Sequence, residues 1–374
     1  MELVKHNKWQ RIMLPGFLFQ SMVIGGGYGT GAEMAQYFGV NGVVGGLLTC
    51  VVVALVWGAI CALTFEFTRV FKVYDYHSLT SALLGKGSIL YEITYIAACL
   101  MVLGVVVATS GNMFETLFGV NRWIGSFVLA IAICVIVISG TKAVENVFAF
   151  WSYALYAVYA LFFIIIFAKF GGSIGANISA GEVKPTWFTN GVAYASYNLG
   201  IVAALLYSTA GCQSRGEAIA SGLMSGVIAV LPAALLFLAL SAFHPEYIAL
   251  EVPVNLLFEK LNMPWLYYAF EIVLFGTLVE TGMGFIKAVV DRVEVAVQKS
   301  KGSVPKGVRA GVTIGLMVIG LAISAFGITA IILKGYGSLP WAYTITLILP
   351  LLTVGIYKLV KHGKEPVETE DEQV

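Results

Sequence analysis

Charge is what this chain has least of. Asp, Glu, Lys and Arg make up 11% of its 374 residues, against 59% apolar residues and a mean hydropathy of +0.88. Soluble domains carry about 25% charged residues, so a soluble globular class is excluded. Net charge is +1 at neutral pH, which offers no basic face to a nucleic acid, and none is expected as a partner. The 4 histidines (His6, His77, His244, His362) fall outside the deep apolar runs. No Ser/His/Asp set, Walker motif or metal-ligand cluster is present, so neither an enzyme nor a cofactor is expected. The 5 cysteines, Cys50, Cys61, Cys99, Cys134 and Cys212, lie in or at the ends of apolar segments, and none pairs as CxxC. They read as small core residues rather than a disulfide framework.

What the chain has in abundance is long apolar runs. A bilayer span needs about 20 residues. Ten segments qualify, roughly 12–37, 43–68, 89–116, 122–140, 146–169, 188–212, 217–243, 264–290, 308–332 and 338–360. The basic N-terminus leads into a run that contains Pro15 and lacks a small-residue cleavage site, so it reads as a first helix and not a signal peptide. Ten spans put both termini on one side. Of the 22 Lys and Arg residues, only Arg122, Lys169, Lys184, Lys260 and Lys334 then face outward, leaving 17 inside. That bias places the termini in the cytoplasm and the protein in the cytoplasmic membrane. The expected division is an N-terminus 1–11, a first five-helix repeat 12–170, an extracellular connection 171–187, a second repeat 188–360 and an acidic tail 361–374.

Glycine appears where glycine is unfavourable. Residues 25–31 read Gly25-Gly26-Gly27-Tyr28-Gly29-Thr30-Gly31, in the middle of the first apolar run. Each glycine costs a helix roughly 0.8–1.0 kcal/mol against Ala, so this helix is predicted to break at mid-depth. Broken backbone inside a bilayer survives only where it is buried in protein or lines a wet cavity. Gly27, Gly29 and Ala32 also fit a dinucleotide fingerprint, but no strand precedes them, as that motif requires. A new half-helix starting near Gly29 directs N–H groups at an anion.

The second half of the chain repeats the pattern without repeating the residues. The sixth apolar segment is interrupted around Ser196-Tyr197-Asn198-Leu199-Gly200. About 55 residues past each break lies a short amphipathic piece, Tyr76–Leu84 (Leu79, Leu83, Leu84) and Val252–Leu261 (Leu256, Leu257, Leu261). Five spans per half is odd, so the halves are inverted. The fold class is therefore all-α, ten transmembrane helices as a 5+5 inverted repeat with helices 1 and 6 discontinuous. Such repeats hold a transport site at mid-membrane, between the broken helices.

Candidate site residues follow from that placement. Glu33 lies one turn past the glycines, where a charge costs roughly 2.5–3.5 kcal/mol at the bilayer centre; it reads as a contact for a cationic substrate group, as half of a gate pair, or as a structural cap. Tyr194, Tyr197 and Asn198 (with Ser196) form the counterpart on helix six, where Asn198 both donates and accepts. Thr109 and Asn112 share a face of helix three with Ser110 nearby, and Ser152, Tyr156 and Tyr159 recur on helix five. Those polar residues line a cavity or bind helices to one another. Glu280 is the deepest carboxylate by these spans, either functional or paired with Lys287. Glu66, Glu92, Glu145, Glu217 and Asp291 fall at segment ends.

Ten spans with breaks in helices one and six resemble the amino acid–polyamine–organocation superfamily, which has the LeuT fold. Within it, Gly25 through Glu33, followed by Tyr37-Phe38, is similar to the first-helix signature of the YkvI-like membrane proteins. The resemblance implies cation-coupled uptake of a small organic solute. It also implies a sodium site between the first-helix break and helix eight, at Thr277, Glu280 and Thr281 in i, i+3, i+4 spacing. The family pattern has two adjacent hydroxyls there; this chain has Glu280 in place of the first. Either a sodium ion is held with a full negative charge in its shell, or Glu280 itself carries the coupling proton. The solute expected is an amino acid or related zwitterion, with an organic cation as the alternative because Glu33 adds negative charge. A channel is disfavoured because channels gain selectivity from oligomeric symmetry, and a sensor because the loops are short. The oligomeric state has no sequence signature.

Overall fold

The computed structural model describes residues 7–305 and 307–362, with the side chains of 141, 142, 145–150, 152 and 153 left aside. The readings placed on Glu145, Ser152 and the acidic tail lie outside what is described. All regular structure among the described residues is helical. Ten helical segments, here α1 to α10, follow in order: Lys8–Val23 with its continuation to Phe38, Val43–Phe71, Ser88–Phe118, Arg122–Ser139, Thr141–Ser179, Trp187–Leu199 with its continuation to Gly211, Arg215–Ser241, Pro264–Lys301, Val308–Ser324 and Ile328–His362. Among the described residues α2, α3, α4, α5, α7, α8 and α10 are long and apolar enough to cross a membrane, and the shorter α1, α6 and α9 complete the ten.

Local chemistry sets the ends. Asn7 caps α1 with a reciprocal box: the Gln10 amide donates to Asn7 Oδ1 at 2.8 Å, and the Asn7 amide to Gln10 Oε1 at 3.1 Å. Ser214 caps α7, and Pro264 opens α8 at its first turn, where a missing N–H costs nothing. Several details differ from the hydropathy reading. Helix α8 runs on to Lys301. Helix α5 runs on to Ser179, since polar residues past 169 are compatible with a helix that emerges from the membrane. Helix α9 stops at Ser324, because Gly327 turns the chain with φ +79° and α10 restarts at Ile328. The segment α10 is an alternation of α- and π-helical turns rather than one regular helix.

The two halves meet most extensively along α2 and α7. They cross through small residues. A Cβ on Gly222 would lie 2.1 Å from the Ala62 backbone nitrogen, and one on Gly226 2.5 Å from the Ala54 carbonyl and Gly58 nitrogen. Gly222 and Gly226 face Ala54, Gly58 and Ala62, a small-xxx-small stripe on both partners. Two short amphipathic helices complete the repeat. Tyr76–Leu84 buries Leu79 and Leu83, and Val254–Leu261 buries Leu256, Leu257 and Leu261. Large apolar side chains such as Leu55, Ile131, Ile164, Ile272 and Val318 stand exposed around the outside, as lipid-facing positions require.

Candidate functional site

The first break has two parts. Helix α1 ends at Ile24, whose amide still reaches the Gln20 carbonyl (2.9 Å), and Gly25 is extended. One helical turn, Gly26–Gly29, follows, so the new turn starts three residues earlier than the sequence suggested; the glycines accommodate a turn rather than abolish it. The Thr30 hydroxyl donates back to the Gly26 carbonyl at 2.7 Å, and Gly31 turns the chain at φ +80°, a region that disfavours any side chain. A π-helical segment, Met34–Phe38, then carries the chain outward.

That second turn brings Glu33 back onto the first. A Cβ on Gly27 would sit 2.5 Å from Glu33 Oε1, so only glycine lets the carboxylate lie there. Glu33 is 5% exposed, and its Oε2 makes no hydrogen bond. Tyrosines surround it: Tyr28, Tyr37, Tyr194, Tyr197 and Tyr336 all lie within its electrostatic reach. Their rings form a connected wall, with Tyr37 5.3 Å from Tyr194 and 5.8 Å from Tyr197, and Tyr197 5.1 Å from Tyr336. The hydroxyls of Tyr194 and Tyr197 are buried on the side of Glu33.

The sixth segment breaks differently from the sequence reading. Helix α6 continues through Asn198 to Leu199, and the chain then winds as 3₁₀ turns over Gly200–Ala204 and Leu206–Gly211. The interruption starts at Gly200, where a Cβ would strike the Tyr343 ring at 2.1 Å. Asn198 is thus in the last α turn, its Nδ2 donating to the Tyr194 carbonyl at 3.1 Å.

Between the breaks lies a cavity of about 30 Å³. Gly25, Gly26, Gly27, Glu33, Tyr197, Asn198 and Thr281 line it together, with Tyr336 and Tyr343 from α10. Other predicted residues sit elsewhere. Tyr28 reaches toward the Ala229 carbonyl on α7 (3.4 Å), and Gly29 faces Leu274. Tyr194 is one layer back, packed on Phe38 and Trp57. Thr109 abuts Gly26, where a Cβ would lie 2.7 Å from its hydroxyl; with Thr30 and Asn112 it lines a second, smaller cavity.

On the opposite side of the break, α8 presents the predicted trio. The Thr281 hydroxyl donates to the Ile24 carbonyl at 3.1 Å, joining helix eight to the broken backbone. Glu280 is 1% exposed; its Oε2 lies 3.5 Å from Ser21 Oγ and its Oε1 has no partner. Thr277 bonds its own helix, at the Leu274 carbonyl (2.7 Å). Lys287 does not pair with Glu280: it pairs with Asp291, one turn further along the same face. The polar atoms of this group are all oxygens, one pair of them from a carboxyl, a set of hard donors of the kind that binds a hard cation. Sequence reasoning missed two members of this cluster, Gln20 (3% exposed) and Ser21; Tyr156 donates its hydroxyl to Gln20. A glutamine in the middle of an otherwise apolar first helix was the available signal.

No protein-family model and no curated protein matches the chain. Solved structures do. A Na⁺-coupled sialic acid symporter in a substrate-bound outward-open state aligns over 92% of this chain and 79% of its own, with 13% identity and a TM-score of 0.63. MhsT in complex with L-phenylalanine aligns over 90% and 87%, with 16% identity and a TM-score of 0.62. Mhp1, a nucleobase-cation-symport-1 family transporter in a closed conformation with bromovinylhydantoin bound, aligns over 93% and 78%, with 13% identity and a TM-score of 0.61. The chain is an all-α membrane protein of the LeuT fold.

Proposed function

We propose that this chain is a secondary active transporter that moves a small amine-bearing organic solute by cation-coupled alternating access. It works in the cytoplasmic membrane with both termini inside, and belongs with the YkvI-like proteins its glycine turn resembles. The observation that carries this reading is the cavity itself, closed on both sides by broken backbone and bounded by a buried carboxylate. At about 30 Å³ it has room for water and little more. An amino acid enters only if the helices part, which is the motion alternating access supplies.

The chemistry favours an ammonium group at Glu33, since aromatic faces add cation–π attraction to the carboxylate charge. The backbone at Gly25–Gly27 and Asn198 leaves room for a carboxylate at the other end of a zwitterion. An amino acid is therefore the leading solute class. An amine without a carboxylate is the second reading, favoured by the tyrosine wall around Glu33. The solved structures it resembles are a Na⁺-coupled sialic acid symporter, MhsT with L-phenylalanine and Mhp1 with bromovinylhydantoin, so the fold alone does not choose.

The coupling ion, Na⁺ or H⁺, is assigned to Glu280, Thr281, the Ile24 carbonyl and the backbone at Thr277. The test is uptake into proteoliposomes under imposed Na⁺ or pH gradients, with amino acids and simple amines as competing solutes. Concentrative, saturable uptake is expected under one gradient. Passive, non-saturable flux under both would overturn the proposal.

A further inference from the structure

Helix α8 carries a second buried carboxylate that neither the sequence reading nor the transport site uses. Glu271 is 3% exposed, and its Oε2 makes no hydrogen bond. It lies nine residues before Glu280, about 13.5 Å along the helix at 1.5 Å per residue, so the two do not share a site. It faces a separate cavity of about 10 Å³, roughly the size that admits one water-sized sphere. Two further acceptors line that cavity and are also buried without partners, Asn255 Oδ1 and Thr109 Oγ1. Asn112, Thr116 and Tyr267 complete its polar wall, and no lining residue is basic.

Three buried oxygens face one small space, one of them from a carboxyl group that only the Tyr267 hydroxyl approaches, and no positive group stands against them. Leaving such groups bare inside the protein is unfavourable, most of all for a carboxylate. The elements that supply them are separate: Glu271 from α8, Thr109 and Asn112 from α3, Asn255 from the short helix Val254–Leu261. That short helix is already fastened to the first break, its Val254 amide donating to the Thr30 carbonyl at 3.0 Å. Thr109 forms the wall shared with the solute cavity, through its contact with Gly26. We propose that Glu271, Asn255 and Thr109 bind a second small monovalent cation of Na⁺ size. The ion joins the outer helix to α3 and α8, one layer outside the solute. This assignment does not depend on Glu280 or on transport.

The test is ²²Na⁺ binding to the purified full-length protein in detergent, with melting in NaCl and in choline chloride at equal ionic strength. Glu271→Gln keeps the shape and removes the charge. It is expected to lose one saturable Na⁺ equivalent and part of the Na⁺-dependent rise in Tm, while melting like the unaltered protein in choline. Glu280→Gln is expected to retain the Glu271 equivalent, and the double variant none. Asn255→Ala, on the partly exposed outer helix, guards against misfolding and is expected to weaken that equivalent by about tenfold. Unchanged stoichiometry in Glu271→Gln overturns the proposal. So does a rise in its Tm that is equal in Na⁺ and choline, which marks Glu271 as a protonated donor to Asn255. If Glu280 binds no ion but Glu271→Gln abolishes the single equivalent observed, the coupling assignment fails and this one stands.

Discussion

At the residue scale, two side chains test the site most directly. Gly27 is glycine because Glu33 Oε1 occupies the place of its Cβ, 2.5 Å away. Gly27→Ala displaces the carboxylate by a fraction of its own length and leaves the rest of the turn intact. Misplacement by about 1 Å can cost on the order of 100-fold where geometry is critical. Apparent solute affinity is expected to fall by roughly 10- to 100-fold, with Tm near the parent value; unchanged affinity removes Glu33 from the site. Glu280→Gln mimics a protonated or neutralised carboxylate. It is expected to support exchange of bound solute but to lose gradient-driven accumulation by at least about tenfold, the scale of a 1–3 kcal/mol coupling energy. Normal accumulation against a gradient makes Glu280 structural and puts the coupling site elsewhere. Residues of this kind were only partly legible. Glu33 and Glu280 stood out because a charge in an apolar run is conspicuous. Glu271 stood in the same helix and was passed over, because hydropathy reports what a segment contains and not which face turns inward.

At the element scale, the two breaks are held in the same way by opposite halves. The Ile24 carbonyl takes its hydrogen bond from Thr281 on α8, and the Gly200 carbonyl from Tyr91 on α3, at 3.1 and 2.8 Å. Helices three and eight correspond under the inverted repeat, as do one and six, so each half supplies a hydroxyl to the other half's freed backbone. The first break was legible because five glycines in seven residues have few other uses. The second was displaced to Gly200, since a passage from α to 3₁₀ winding needs no distinctive residue beyond the glycine that admits Tyr343. The α2–α7 crossing was not legible at all, because Gly222 and Gly226 look like any small residues in an apolar run. A methyl at Gly222 lies 2.1 Å from the Ala62 nitrogen and must push α7 away from α2 by roughly 1.4 Å to recover an ordinary contact of about 3.5 Å. Gly222→Leu is expected to lower Tm sharply or to prevent recovery of folded protein, whereas Gly311→Leu, which has open space, should not. Equal Tm for both variants would show that the crossing is not tightly packed.

At the scale of the whole molecule, the ion pairs are arranged by side. Arg11–Glu217, Arg69–Glu66, Arg292–Glu92 and Arg309–Glu294 cluster at the ends carrying most of the Lys and Arg residues, while Lys184–Glu182 and Lys260–Glu246 mark the other. Orientation is testable by cysteine labelling. Val183, 43% exposed beyond the end of α5, suits this. With the five native cysteines replaced, Val183→Cys is expected to label from outside the cell and Ser303→Cys from inside. Labelling of both from one side sinks the topology.

The same ion pairs bear on how the cavity opens. Arg11 grips Glu217 through two bonds, Nε to Oε2 at 3.1 Å and Nη2 to Oε1 at 2.8 Å, and the Gln213 amide adds a third at 3.0 Å. This fork fastens the N-terminal end of α1, the inner end in the proposed topology, to the start of α7, and α1 lines the cavity through Met22 and Val23. Opening inward therefore requires the fork to separate. Glu217→Gln keeps the hydrogen-bonding shape but removes the charge, weakening a pair that is only about a tenth exposed on either side. Losing the charge of a two-bond contact loosens this end of α1 and is expected to raise the inward-open population. Val23, at the cavity wall and 4% exposed, is the reporter. Val23→Cys should react with a membrane-impermeant reagent from the inner side much faster when combined with Glu217→Gln than alone. If the rate does not change, the Arg11–Glu217 fork is a surface pair without a gating role, and the inner barrier lies deeper along α1.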